Sequence, residues 1–477
     1  MKQFIITISL LLGFIYSHAQ DKKHLSDFDF IINKIKNDYP GYSDKVNDEN
    51  IQELKKLEKQ TRKMIIQYPD SCYKYLKGYT AWFKDYHLRV SKIRNTSKRE
   101  SYKKKYAEFN LDSLQKTSKA IEGIWIGYRG SFAVKKELHK YIAISIDLRG
   151  YEKNQIIFEA IGKKNNEFDL TTYRNNRGFK PRQEEASLLL NNSVLEIHND
   201  TRFVRKTANK KADMAFLLSY IPIHPNGLNT YSVALSLNDS TFYLRVPGFS
   251  TNTANDLVEK HWNEITTRPN LIVDIRNNGG GQDNYYKRLA ELIYTNPYES
   301  KGVEWYSTKG IIEDWEDAIK KGHIKKGGEE WANVLLKKIK EKVGGFVIHP
   351  FHEGDTKIER DTVYSYPKNV GIIINSGNAS SAEQFLLTAK NSSKVILFGN
   401  ENTAGVLDYS NITPKELPSG KYKLWLPATR SRRLPDHPID NIGIAPDIHI
   451  PLEPTLQLFD RLDDWVYFVK NYLEYKE

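Results

Sequence analysis

The chain has 477 residues, is 39% hydrophobic and 12% aromatic, and carries a formal charge of +12 at pH 7. That composition excludes a disordered polypeptide, and the length implies two or three domains with sizeable cores. The single cysteine, Cys72, excludes an intrachain disulfide. The positive charge comes without zinc-finger spacing or an RNA-binding signature, so specific nucleic-acid recognition is not expected.

Residues 1–19 read as a signal peptide. Lys2 precedes an apolar run from Phe4 to Tyr16, and Ser17-His18-Ala19 sets small residues around a cleavage point. The mature protein is therefore expected to be periplasmic or secreted, and no later segment is long and apolar enough to span a membrane. Residues 20–118 read as a small helical bundle. Phe28, Ile31, Ile32, Ile35 and Tyr39 recur at helical spacing and stop before Pro40. A second stripe runs from Ile51 to Ile65, and a third helix contains Tyr73 to Phe83. Cys72 falls in this region as a packing residue. The basic stretch Lys92–Lys105 reads as a solvated face.

Residues 119–235 change period. Ile124–Ile126, Tyr141–Leu148, Gln155–Ala160, Ser187–Ile197 and Arg202–Val204 look like strands, which implies an all-β domain, either a sandwich or a barrel. Residues 236–455 alternate strand and helix, as an α/β domain with a largely parallel sheet does. Its strands are Phe242–Val246, Leu271–Ile275, Gly371–Ile374 and Val395–Phe398. A charged, tryptophan-rich insertion, 300–365, adds two helices. Residues 456–477 close the chain as an amphipathic helix. The fold class is thus α/β plus all-β.

The stretch Val370–Ala389 reads as strand, tight turn and helix, with Ser380 at the helix start. A serine there is exposed beside free backbone N–H groups, as a nucleophile requires. Equally, Ser380 or Ser381 could serve only as a helix cap. Upstream, Asp274–Gly281 (DIRNNGGG) follows an apolar strand. It fits neither phosphate-binding glycine spacing, and half of an oxyanion hole is the other reading. His87, in Lys84-Asp85-Tyr86-His87, and the Asp440–Asp447 segment (DNIGIAPD) carry little by themselves. His349 and His352, beside Glu353, lie in an extended segment that does not put both rings on one face, so no metal site is expected.

In this order, the NNGGG turn, the Ser380 turn, VILFGNENTAG and GIAPDI resemble the tail-specific, C-terminal processing serine peptidase superfamily over roughly 238–450. The resemblance implies an α/β peptidase domain with a crotonase-like ββα core, a peptide or protein substrate, and no cofactor. One branch uses a lysine after the Thr403-Ala404-Gly405 motif, where this chain has Val406. The tricorn-core-like branch uses a histidine, and its motif matches Phe83 to His87. The resemblance therefore implies Ser380 as nucleophile and His87 as general base. Ser381 and Gly280 (or Gly279) become the oxyanion donors, and Asp440, with Asp436 as alternative, the acid. Tyr86 stands where a fourth catalytic serine can occur. Glutamate is usual at position 440, so a catalytically inactive member that binds peptides or hydrophobic ligands is the alternative. No PDZ signature is found, and the oligomeric state is not legible.

Overall fold

A computed structural model describes residues 25–475 apart from 94–101, 116–119, 128–129, 175–177, 198–200, 207–221, 224–231, 325, 352–353, 452–456 and 459–463. The proposed signal peptide, His352 and Glu353 lie outside the described residues. The chain forms two compact units, one from 1–94, 232–450 and 472–477, the other from 95–231 and 451–471.

The second unit is built on a closed antiparallel barrel. Its strands are Gly123–Gly127, Gly130–Glu137, Lys140–Ser145, Ile156–Gly162, Glu167–Tyr173, Pro181–Leu189, Val194–Ile197 and Thr201–Arg205. Each pairs with the next, and the first closes on the last through Trp125–Arg205 and Ile126–Val204. Closure satisfies the edge N–H and C=O groups that a sandwich would leave open. The segment 187–197 is two strands rather than one, because Asn191 and Asn192 take φ of 50° and 64° and turn the chain. Gly130–Glu137 and Glu167–Tyr173 escaped the sequence reading because lysines and acidic residues interrupt their apolar alternation.

Side chains from all around the barrel, among them Trp125, Phe132, Phe158, Phe168, Leu188 and Phe203, form one buried cluster. An eight-stranded barrel is narrow enough for such side chains to fill it. Arg205 lies with its guanidinium 4.3 Å from the Trp125 ring centroid, and the indole Nε1 donates to the Ile121 carbonyl at 2.9 Å.

The first unit holds a sheet in the order Val233–Ser236, Thr241–Arg245, Asn270–Asp274, Asn369–Ile373, Val395–Gly399, Ile448–His449. The first pair is antiparallel and the rest parallel. Thr241–Arg245 and Asn270–Asp274 are buried at every position, as strands covered on both faces must be. Helices Thr253–Lys260, Lys287–Leu292 and Ser381–Ala389 contribute to the same core. Insertion helices Lys309–Lys320 and Glu329–Glu341 bury Ile311, Leu335 and Ile339 in a separate cluster with Trp305.

The N-terminal helices, 25–38, Ile51–Gln67 and Cys72–Ala81, bury Phe28, Ile35, Leu54, Leu76 and Tyr79. Tyr409, Tyr422, Leu424 and Leu426, from the far end of the chain, complete that core. Strand Arg89–Lys92 pairs antiparallel with Tyr422–Leu426, which fixes the chain just beyond His87 to the α/β unit. Cys72 is buried here, and burial pushes its thiol up to about 12.

Trp125→Ala removes the largest barrel side chain together with its stacking partner for Arg205. It is expected to destabilise the barrel by about 3–5 kcal/mol, measurable as an earlier denaturant midpoint of the intrinsic-fluorescence and circular-dichroism transitions.

Candidate active site

Three neighbouring parallel strands deliver the site. Asp274 pairs with Ile373 and Ile373 with Phe398, so the turns that follow leave the sheet side by side at its carboxyl edge. That edge is where open α/β sheets bind their ligands.

The turn after Ile373 sets Ser380 at φ 58°, ψ −126°, immediately before helix Ser381–Ala389. Such a backbone is strained for a non-glycine residue and persists only where its surroundings hold it. What holds it is visible. The Ser380 N–H donates to the Val406 carbonyl at 2.9 Å and to Glu383 Oε2 at 3.1 Å. Ser380 is half-buried, whereas Ser381 is only 8% exposed, which separates the two serines as candidates for contact with a substrate.

Asparagines knit this turn to the glycine turn. Asn277 N–H donates to Asn375 Oδ1 at 2.8 Å, and Asn375 Nδ2 returns a bond to Asn277 Oδ1 at 3.0 Å. Ala379 N–H donates to the Asn278 carbonyl at 3.2 Å, and Asn378 Nδ2 to that of Ile275 at 2.5 Å. Gly280, at φ 92°, is pressed against the Ser380 turn. A Cβ there would lie 2.6 Å from the Ala379 carbonyl oxygen and 2.8 Å from Ser380 Cβ. Gly280 is thus brought to Ser380 and Ser381, but its N–H donates to Asn278 Oδ1 at 2.9 Å. The Ser381 N–H has no partner among the described residues.

Glu383 is fully buried. Besides the Ser380 amide, its carboxylate accepts from Thr403 Oγ1 at 2.6 Å, Gly405 N at 2.7 Å and Val406 N at 2.8 Å. Sequence reading gave this residue no role. A glutamate three residues after a helix-start serine was the available signal, because that spacing returns its side chain to the cap. Burial raises its carboxyl above the usual range, against the pull of those four donors.

The chain then runs from Val406 to Tyr409 and gathers the remaining groups. Leu407 N and Asp408 N both donate to Asp440 Oδ1 at 2.8 Å. In return, Ile439 N and Asp440 N donate to Asp408 Oδ2 at 2.8 Å. The Tyr409 carbonyl accepts from His87 Nδ1 at 2.6 Å. A carbonyl can only accept, so Nδ1 carries the proton and Nε2 presents its lone pair. The Asp85 carboxylate holds the His87 amide at 2.8 Å and takes the Tyr39 hydroxyl at 2.8 Å. His87 is 7% exposed, and burial lowers its pKa, only partly opposed by the Tyr409 carbonyl.

Asp440 therefore does not make the bond expected of a triad acid: the carbonyl of Tyr409 occupies Nδ1. Its charge acts on His87 all the same, and Asp440 Oδ2 is buried without a partner. Asp436 is exposed. No hydrogen bond joins Ser380 Oγ to His87 in this state. Val406 places a buried valine side chain where the lysine branch has its base. Asp447 has a structural task, taking the Leu397 amide at 2.9 Å and Lys390 Nζ at 2.9 Å. His349 stacks on Trp331 with ring centroids 4.2 Å apart and spends Nδ1 on the Phe351 amide. Among the described residues no helix is long and apolar enough to cross a membrane.

A strained serine at a strand–helix junction, a glycine turn against it and a histidine of fixed tautomer make up the candidate site on the α/β sheet. Residues 240–450 match the family model described as Peptidase family S41. Over those residues the chain is thus similar to serine peptidases of family S41. Among solved structures it is similar to mature CPAF, with 14% identity over 96% of each chain and a TM-score of 0.47. It is also similar to the photosystem II D1 C-terminal processing protease, with 12% identity over 90% of this chain and 93% of that one, at a TM-score of 0.35. A putative S41 protease from Bacteroides fragilis NCTC 9343 is 11% identical over 93% of this chain and 91% of that one, at 0.33. Comparison with curated proteins finds no match.

Burial, reinforced by the charge of Asp85, pushes the Asp440 carboxyl up to about 7. The folded protein then holds this proton more tightly than the unfolded chain, whose aspartates titrate at about 3.9. The group's stabilisation is full below that value and is lost as pH rises towards 7. Asp440→Asn is expected to raise the melting temperature relative to wild type more at pH 8 than at pH 4.5, by calorimetry at both values.

Proposed function

We propose that this domain hydrolyses peptide bonds through an acyl-enzyme, with Ser380 as nucleophile and His87 as general base, the design of the tricorn-core-like branch. The observation that carries the reading is the His87 Nδ1–Tyr409 bond. It leaves Nε2 as an acceptor on the same ribbon whose Val406 carbonyl holds Ser380.

In this mechanism His87 Nε2 takes the Ser380 proton as Oγ bonds to the substrate carbonyl carbon. The resulting oxyanion is met by the Ser381 N–H and by an amide of the glycine turn, Gly280 or its neighbour Gly279. Gly280 must exchange its bond to Asn278 for one to the oxyanion. The C–N bond then breaks, and His87 gives its proton to the leaving amine. Water, deprotonated by His87, attacks the ester, and the proton returns to Ser380 Oγ as the carboxylic acid departs. Asp440 assists the imidazolium through space, since Coulomb attraction persists without a hydrogen bond in a poorly solvated site. Neither metal nor organic cofactor enters this scheme. The N-terminal segment supports action on periplasmic or extracellular peptides.

A second reading is a peptide-binding protein without turnover, favoured by the engaged Gly280 N–H. Fluorophosphonate labelling separates the two, because only an activated Ser380 reacts. Wild type is expected to label and to cleave members of a peptide library. Ser380→Ala and His87→Ala should each lose roughly a thousandfold or more in kcat/KM. A wild type that neither labels nor cleaves would refute the peptidase reading, and full activity in His87→Ala would refute the base. With its pKa lowered, His87 stays neutral at pH 7, so the acid limb attributable to it is expected below about 6.5 in kcat/KM against pH.

A further inference from the structure

Two large apolar side chains stand exposed in the loops that carry His87 and Asp440. Tyr86, next to His87, is 65% exposed, and Ile442, two residues past Asp440, is 55% exposed. Scattered singly, such residues need no explanation. These two are not scattered. Asn441 Nδ2 donates to the Lys84 carbonyl at 2.5 Å, which ties the Ile442 loop to the Tyr86 loop. Both loops bend at a non-glycine residue of positive φ, Lys84 at 49° and Asn441 at 62°.

Each loop is anchored from behind rather than left to move. The Asn441 amide donates to the Gly405 carbonyl at 3.0 Å, and Asn402 Nδ2 to the Ile442 carbonyl at 2.9 Å. Arg89 Nη1 donates to the Tyr86 carbonyl at 3.1 Å. The backbones are therefore fixed, while the two side chains are left to solvent. Gly443 permits the close approach of the second loop, because a Cβ there would lie 2.2 Å from the Thr403 carbonyl oxygen.

We infer that Tyr86 and Ile442 form an apolar subsite for the substrate residue that immediately follows the scissile bond. The inference rests on the peptidase reading above. The base that activates Ser380 must next protonate the leaving amine, so the loops around His87 border the departing half of the peptide. A substrate residue seated between a tyrosine ring and an isoleucine gains by burying apolar surface, and a leucine gains more than a serine. Tyr86 thus takes up a specificity role at the position where a fourth catalytic serine can occur.

The test uses two fluorogenic peptides that differ only in the residue after the cleaved bond, leucine or serine. Wild type is expected to favour leucine by about tenfold in kcat/KM. The double variant Tyr86→Ser/Ile442→Ser should bring the ratio near unity, with each single variant between, and Tyr86→Phe should keep it. The ratio within one preparation does not depend on how much of that preparation is active. A wild type without leucine preference, or a double variant that retains it, overturns the subsite. Ser380→Ala is run alongside: if it cleaves both peptides as wild type does, the peptidase reading falls and the subsite with it. If it cleaves neither while the double variant keeps the leucine preference, the subsite falls alone.

Discussion

The active-site region depends on one buried carboxylate. Glu383 is fully buried and accepts from a hydroxyl and three backbone amides. An uncompensated carboxylate at that depth would be costly, and four donors are close to the number its lone pairs can accept. Each donor belongs to a different part of the site: the strained Ser380, the Thr403 side chain, and the Gly405 and Val406 amides. One side chain therefore fixes where Ser380 stands relative to the ribbon that carries the other groups. Losing it would leave the Thr403, Gly405 and Val406 donors buried and without this partner.

The ribbon from Thr403 to Tyr409 converts that local constraint into a site. Its carbonyls hold Ser380 through Val406 and His87 through Tyr409. Its amides at 407 and 408 hold Asp440, and the Asp408 side chain returns the favour to residues 439 and 440. Groups from residues 87, 380 and 440 are thus all bonded to one ribbon. Backbone polar groups do most of the positioning, while the Thr403 and Asp408 side chains add bonds of their own. Val406 illustrates this, since its backbone is bonded on both sides while its side chain only packs.

Fold and site differ in how far the sequence reveals them. The parallel strands were legible because continuous apolar runs such as Val370–Ile374 can only be buried on both faces. The glycine turn and Ser380 were legible because both follow such runs. Barrel closure was not, since pairing between residues 125 and 205 leaves no local signal. The sharing of one core by the N-terminal helices and Tyr409–Leu426 is equally non-local. Glu383 had a helical spacing but no visible partners, because its partners lie some twenty residues on. The tautomer of His87 is set by a carbonyl, Tyr409, and carbonyls carry no side-chain identity to read.

As the proposed base, His87 would be neutral at rest and cationic in passing. Burial keeps His87 uncharged, which preserves its lone pair. The imidazolium formed during proton transfer would be unstable in that setting without negative charge nearby. Asp440 and Glu383 supply it in their ionised forms, and both then raise the affinity of His87 for a proton. Arg433, 9% exposed, faces the same carboxylates and pairs with Asp408 at 3.4 Å, which limits their mutual repulsion. An acid bonded to the imidazole is therefore not required to stabilise its charge. Orientation and charge compensation are separate tasks here, the first given to the Tyr409 carbonyl and the second to carboxylates held by backbone amides. That division accommodates the shorter side chain at Asp440, because a group acting through space need not reach the ring.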